Sequence, residues 1–114
     1  MHELSTVNYI VETVDGICKE QGLTVVQSVT VQIGEVSAII PEYIVDYYNW
    51  LKQKNEFLKD SEIICEKLDA VTYCQNCKKT YPTVEFGKTC PHCGSGNTFL
   101  VTGNEYIIKE IVAM

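Results

Sequence analysis

Leu4, Val7, Val11, Val14 and Cys18 recur at three- and four-residue steps, with Ile10 and Ile17 beside them, while Glu12, Asp15 and Lys19 fall off that stripe. Apolar residues at this spacing fill one face of a helical repeat, so the segment is expected to be an amphipathic helix. Gly22 follows, where a left-handed residue ends a helix. From Thr24 to Ile33 the pattern becomes alternating, Val29, Val31 and Ile33 against Thr30 and Gln32, which predicts a strand closed by Gly34. Pro41 suits the first position of a second helix, whose Ile44, Tyr47, Tyr48 and Leu51 form one face up to about Gln53. A short turn or helical segment around Phe57 and Leu58 comes next. Alternation returns from Ser61 to Tyr73, through Ile63, Cys65 and Lys67 on one side and Ile64, Glu66 and Leu68 on the other. It returns once more from Asn104 to Ala113, with Tyr106, Ile108, Glu110 and Val112 against Ile107, Lys109 and Ile111.

The stretch between those last two strands carries the chemistry. Cys74-Gln75-Asn76-Cys77 and Cys90-Pro91-His92-Cys93 are two cysteine knuckles separated by twelve residues. Two residues between the cysteines of a pair let one tight turn aim both sulfurs at a single ion, and two such turns supply four thiolates. Four soft thiolates in tetrahedral array suit zinc or iron, and a site filled by protein ligands leaves no position for a substrate. Structural zinc is the first expectation. An electron-carrying iron site is the second, because Cys-Pro-His-Cys-Gly resembles a rubredoxin knuckle. A disulfide framework is disfavoured, since no secretory leader is expected before the first helix and thiols in a reducing cytosol bind metal more often than they pair.

The fold class that follows is α+β: two helices packed on a small three-stranded sheet whose last strand is 104–113, with a zinc-ribbon-like module inserted. The α/β domain takes residues 1–70 plus 104–114, and the metal domain residues 71–103. The chain has 114 residues, 46% of them apolar, enough for one core, and no apolar run near the ~18 residues of a membrane span. A net charge of −6 disfavours nucleic acid, which is gripped by clustered Lys and Arg. Between Val71 and Thr98 the charges are Lys78, Lys79 and Lys88 against Glu85, and four thiolates with one divalent ion bring that segment to about neutrality. A zinc ribbon of the nucleic-acid-binding kind would need a basic face here.

Met1-His2-Glu3 is a second candidate site. A free α-amine, the backbone nitrogen of residue two and Nδ1 of a histidine at residue two can form fused chelate rings around one ion, a nearly planar nitrogen set that favours Ni(II) or Cu(II) over zinc. The fourth position is open to the Glu3 amide nitrogen, its carboxylate or water. The bulk of His2 should hinder removal of Met1 and keep the amine in register. The first amides of a helix have no intrahelical acceptor, so metallating them breaks no helical bond. A divalent ion bound by two deprotonated amides is neutral, which removes most of the repulsion from the helix dipole.

Met1-His2-Glu3-Leu4-Ser5 opening a helix, Ile33-Gly34-Glu35-Val36 ending a strand, the two knuckles, and Cys93-Gly94-Ser95 followed by Gly103-Asn104-Glu105-Tyr106 together resemble the HypA/HybF nickel chaperones over essentially the whole chain. The resemblance implies a cytoplasmic nickel metallochaperone for [NiFe]-hydrogenase maturation, working with a HypB-type GTPase and docking on the hydrogenase large-subunit precursor. Some members also serve urease and its accessory proteins. It further implies that His2, the Met1 amine and Glu3 hold nickel as transferable cargo, and that Cys74, Cys77, Cys90 and Cys93 hold structural Zn(2+). A monomer or a weak, domain-swapped dimer is expected. His92 sits inside a knuckle, not after one as in relatives whose histidines tune the zinc site, and is read as an exposed turn residue.

Cys18 and Cys65 fall on apolar stripes and are expected to pack as small buried hydrophobes. Tyr43, Tyr47, Tyr48 and Trp50 are read as core and rim of the second helix, and Glu35, Glu42 and Asp46 as a solvated acidic face. No nucleophile with a base, paired carboxylates or phosphate loop is present, so the chain is not expected to be an enzyme and any GTP hydrolysis belongs to a partner. The alternative reading is a zinc-ribbon protein-interaction module in which Met1-His2 is incidental.

Overall fold

The computed structural model describes residues 3–114 as an α+β protein. Its elements are α1 (Glu3–Gln21), β1 (Val26–Gly34), α2 (Pro41–Leu51) with a 3-10 turn at Lys52–Lys54, β2 (Glu62–Leu68), β3 (Val71–Cys74), β4 (Thr80–Pro82), α3 (Thr83–Phe86), β5 (Thr98–Thr102) and β6 (Tyr106–Ala113). They form two compact units. The first runs to Gln32 and takes in Ile39–Glu66 and Ile107–Met114; the second comprises Ile33–Ala38 and Lys67–Tyr106. Two sheets of three strands are present, ordered β2-β1-β6 and β4-β3-β5.

In the first unit the helical stripe is narrower than its sequence pattern. Val7, Ile10, Val14 and Cys18 are fully buried, whereas Leu4 is exposed. α1 packs against α2, whose Ile44 and Tyr48 are also fully buried. Gly22 adopts φ +69°, and Leu23 donates its N–H to the Cys18 carbonyl at 2.9 Å, the six-to-one bond of a Schellman cap. The buried Tyr48 hydroxyl bonds Ser61, whose own hydroxyl donates to the Leu58 carbonyl at 2.6 Å. Asn55 holds the turn after α2: its side-chain Oδ1 accepts from the Phe57 and Leu58 N–H groups, and its Nδ2 donates to Asp15 on α1 at 3.0 Å. β1 is central and buries Val26, Val29 and Val31. Across it, Lys109 of β6 reaches Glu66 of β2 at 2.9 Å.

The structure corrects the sequence pattern in three places. The expected strand from Ser61 to Tyr73 is broken at Asp69–Ala70, so that β2 and β3 belong to different sheets. The break has a cause: the Glu35 carboxylate takes the Ala70 N–H at 2.9 Å, while the Ala70 carbonyl accepts from Thr83 in continuation of the β3–β4 register, so this residue already faces the second sheet. β4, α3 and β5 form around the knuckles, where alternation gave no forecast. Finally, burial along β6 changes phase at Lys109–Glu110, both exposed, which puts Ile111 and Ala113 on the more buried side in place of Glu110 and Val112.

Gly34 marks a close backbone approach in the second unit. Its N–H donates to the Glu105 carbonyl at 2.8 Å, Val36 donates to the Gly103 carbonyl at 2.8 Å, and Glu35 donates to Leu68 at 2.9 Å. A Cβ on Gly34 would lie 2.2 Å from the Gly103 oxygen and 2.7 Å from that of Glu105, both backbone atoms that cannot swing aside. Gly34→Ala should therefore lower stability by about 1–3 kcal/mol in denaturant unfolding, whereas Gly16→Ala, with open space around it, should not destabilise the protein.

Candidate metal centre

β3 pairs with β4 in the register Thr72 to Tyr81 and with β5 through Tyr73 to Phe99 and Cys74 to Thr98. The strand thus delivers Cys74 at its end, where the first knuckle turns. The two knuckles share one hydrogen-bond pattern. Cys74 donates to the Lys79 carbonyl at 2.9 Å and accepts from Lys78 at 2.8 Å; Cys90 donates to Ser95 at 3.0 Å and accepts from Gly94 at 2.8 Å. The residue after each second cysteine but one place short of the closing carbonyl is left-handed, Lys78 at φ +60° and Gly94 at φ +76°.

These turns converge the sulfurs of Cys74, Cys77, Cys90 and Cys93, all within 4.8 Å of one another. Cys74 Sγ lies 3.6 Å from Cys93 Sγ, and Cys77 Sγ 3.6 Å from Cys90 Sγ, so each close pair joins the two knuckles. A tetrahedron of Zn–S bonds of ~2.3 Å has edges of about 3.8 Å, so the set fits such an ion. None of the four is in a disulfide. Outside the ligand set, the Asn76 amide points across to Cys93 Sγ at 3.5 Å and the His92 backbone N–H donates to Cys90 Sγ. Such bonds to sulfur orient ligands and stabilise thiolates. Asn76, with the Ser95 backbone, holds the Cys93 thiol down to about 6, while desolvation and the neighbouring sulfurs push Cys77 up to about 12.

The surrounding core is small: Cys74, Tyr81 and Cys90 are buried, with Cys77 packed against them. Tyr81 meets Phe86 edge to face at 6.1 Å and donates its hydroxyl to the Gly87 carbonyl at 2.9 Å.

The other candidate residues have different fates. Met1 and His2 lie outside the described residues. Glu3 opens α1, and its carboxylate accepts the Ile40 N–H at 3.4 Å, at the start of α2. His92 is exposed and does not belong to the sulfur group. Cys18 is buried as expected, but Cys65 is only half-buried; burial raises both thiols, with Glu42 adding to the effect at Cys65. Glu35 is exposed as a residue, but its carboxylate is engaged by neighbours. Besides Ala70 it pairs with Lys67 at 3.6 Å, and its side chain is 23% exposed. Glu105 is a second carboxylate engaged by its neighbours, bonded to Gly103 N–H and the Thr102 hydroxyl, which hold it below its ordinary value. Sequence reasoning missed the roles of Asn76 and Glu105; the only local signal was a polar side chain within a knuckle or tight turn.

A family model described as "Hydrogenase/urease nickel incorporation, metallochaperone, hypA" matches residues 1–113. The chain belongs to the HypA family. Hydrogenase maturation factor HypA of Geobacter metallireducens is 30% identical over 112 residues, 97% of each chain. That of Parabacteroides distasonis is 30% identical over 115 residues, covering 98% of this chain and 96% of the relative. The solution structure of the Ni metallochaperone HypA from Helicobacter pylori superposes with a TM-score of 0.78, 23% identity and coverage of 100% and 98%, a likeness of fold.

Two predictions test the centre. Gly94→Ala should cost about 1 kcal/mol through backbone strain alone, since nothing lies within 4 Å of its Cβ, while Lys78→Gly should not destabilise; thermal melting of the metal-loaded proteins checks both. A thiol lowered to about 6 is already ionised above that value, so the protons released on Zn(II) loading should rise by about one as the pH falls through it. Titration calorimetry in buffers of differing ionisation enthalpy measures that number, and Asn76→Ala should move the step to higher pH.

Proposed function

We propose that the chain binds Ni(II) at its N-terminus and delivers it for maturation of [NiFe]-hydrogenase, with Zn(II) held permanently by Cys74, Cys77, Cys90 and Cys93. Membership of the HypA family over residues 1–113 carries this reading. The nickel site belongs to the α/β domain of residues 1–70 and 104–114, and zinc to the domain of residues 71–103. Four closed sulfur ligands suit an ion that stays, because no position is left for exchange. The zinc ion supplies cross-linking of the two knuckles and takes no part in transfer.

His2 is the essential nickel ligand, with the Met1 amine and the backbone nitrogens completing the set. Because the Glu3 carboxylate is engaged with Ile40, the Glu3 backbone nitrogen takes the fourth position. That nitrogen has no acceptor within α1, so its loss to a metal leaves the helix intact. A shallow terminal chelate can pass its ion by stepwise ligand replacement, whereas a four-thiolate cage releases slowly. Protons compete at the imidazole and amides, so acid should release nickel steeply. Selectivity over Cu(II), which such a site binds more tightly, comes from metal supply and partners. Those partners are a HypB-type GTPase and the hydrogenase large-subunit precursor, in the cytoplasm; urease is a further client on this reading. No helix of the described residues is long and apolar enough to cross a membrane. The chain itself performs no hydrolysis.

Calorimetric Ni(II) titration of zinc-loaded, tag-free protein tests the proposal. Wild type should bind, while His2→Ala and a chain extended by two residues before Met1 should each lose binding with zinc content unchanged. Equal binding by all three would move the site elsewhere. Absence of binding in any would favour the zinc-ribbon interaction module.

A further inference from the structure

Helix α2 has two apolar faces, and only one serves the fold. Ile44 and Tyr48 are buried, and the Tyr48 hydroxyl is satisfied by Ser61. Round the helix axis from them, Tyr43, Tyr47 and Trp50 step at four and three residues into a single stripe that stays 49%, 38% and 57% exposed. Ile40, also exposed, heads the stripe, and Lys54 ends it with its ammonium 5.5 Å from the Trp50 ring centroid. Three aromatics aligned on one face are unlike the scattered apolar residues of an ordinary surface. Aromatic side chains of this kind supply large contact area at low entropic cost when a partner covers them.

Glu42 and Asp46 lie on the row adjoining the stripe, at the i,i+4 spacing where like charges weaken a helix. Both are exposed, and among the described residues the recorded ion pairs leave both without a cation. An aromatic stripe bordered by two such carboxylates fits a ligand of matching pattern. We propose that this face of α2 is the docking surface for a basic, amphipathic segment of a partner protein, whose apolar side chains cover Tyr43, Tyr47 and Trp50 while its Lys or Arg side chains meet Glu42 and Asp46. A second copy of the chain is the poorer occupant. Each copy carries a net charge of −6, and a symmetric contact would set these carboxylates near their own counterparts. The inference rests on the chaperone reading only in requiring a protein partner; nickel has no part in it.

Trp50 is the only tryptophan of the sequence, so its emission reports directly on the stripe. The test titrates zinc-loaded, nickel-free protein with a synthetic amphipathic peptide of Leu and Lys at helical spacing, and with its Leu and Glu counterpart. The basic peptide should give a saturable blue shift and the acidic one none. Tyr43→Ser/Tyr47→Ser and Glu42→Lys/Asp46→Lys should each weaken binding roughly tenfold or more. Glu20→Lys/Asp60→Lys, the same charge change elsewhere on the exposed surface, should leave it unaltered. Circular dichroism of each variant reports retention of the fold. His2→Ala should bind the peptide as wild type does, so failure of the nickel site and failure of this surface are read separately. Binding without a Trp50 shift, equal weakening by the charge-matched control, or a shift that grows with protein concentration alone as a dimer sediments would overturn the proposal.

Discussion

The second unit depends on bringing four sulfurs to one point. Its buried apolar residues are few, and Cys74 and Cys90 are themselves part of that core. A body of this size has too little apolar surface to hide, and small domains commonly make good the deficit with a metal. The ion demanded by the sulfur geometry therefore acts as the missing centre of the core. Both knuckles repeat one backbone pattern because each must present two sulfurs from a single turn, and the left-handed residue in each is what bends the chain back. Glycine meets that demand without strain at position 94, while Lys78 meets it at some cost.

Around that centre, carboxylates act as backbone acceptors. Glu35 takes the Ala70 N–H and Glu105 takes that of Gly103, two donors that no strand partner satisfies. The glycines at 34 and 103 allow the segments to approach so closely: a Cβ on Gly103 would meet the Ala70 Cα at 2.4 Å. Chain direction at Asp69–Ala70 follows from these contacts. A strand that would run on by its alternation is turned into a different sheet, and Ile33–Ala38 is drawn into the metal-bearing unit. The chain consequently passes between units at residues 32/33, 38/39, 66/67 and 106/107.

The first unit divides its resources differently. α1 and α2 bury a narrow seam of Val7, Ile10, Val14, Cys18, Ile44 and Tyr48, and the bonds of Tyr48, Ser61 and Asn55 fix the return from α2. Ile44 and Tyr48 supply the buried face of α2, and its remaining aromatics Tyr43, Tyr47 and Trp50 lie open. On the proposed reading two kinds of metal handling coexist in one chain: a closed thiolate cage that orders the protein, and an open nitrogen chelate that gives its ion away. Their difference lies in ligand exchange, since only the open site has a coordination position that an acceptor can enter.

Local regularities determined a great deal by themselves. Helical spacing from Leu4 to Cys18, the glycine at 22, Pro41, and two Cys-x-x-Cys knuckles specify α1, its end, the start of α2 and the four cysteines whose sulfurs converge, because each depends on residues a few positions apart. The opening pentapeptide and the knuckles together also pointed to the HypA family. What sequence pattern missed depends on residues far apart in the chain. Alternation through Ser61–Tyr73 could not reveal that Glu35, thirty-five residues before Ala70, would take its N–H and break the strand. Nor could period alone separate Tyr48, fully buried, from Tyr47 beside it, since their fates turn on where α1 lies and which hydroxyl meets Ser61. Composition names the groups that can bond; only the tertiary fold decides which of them are brought within reach and which are left facing water.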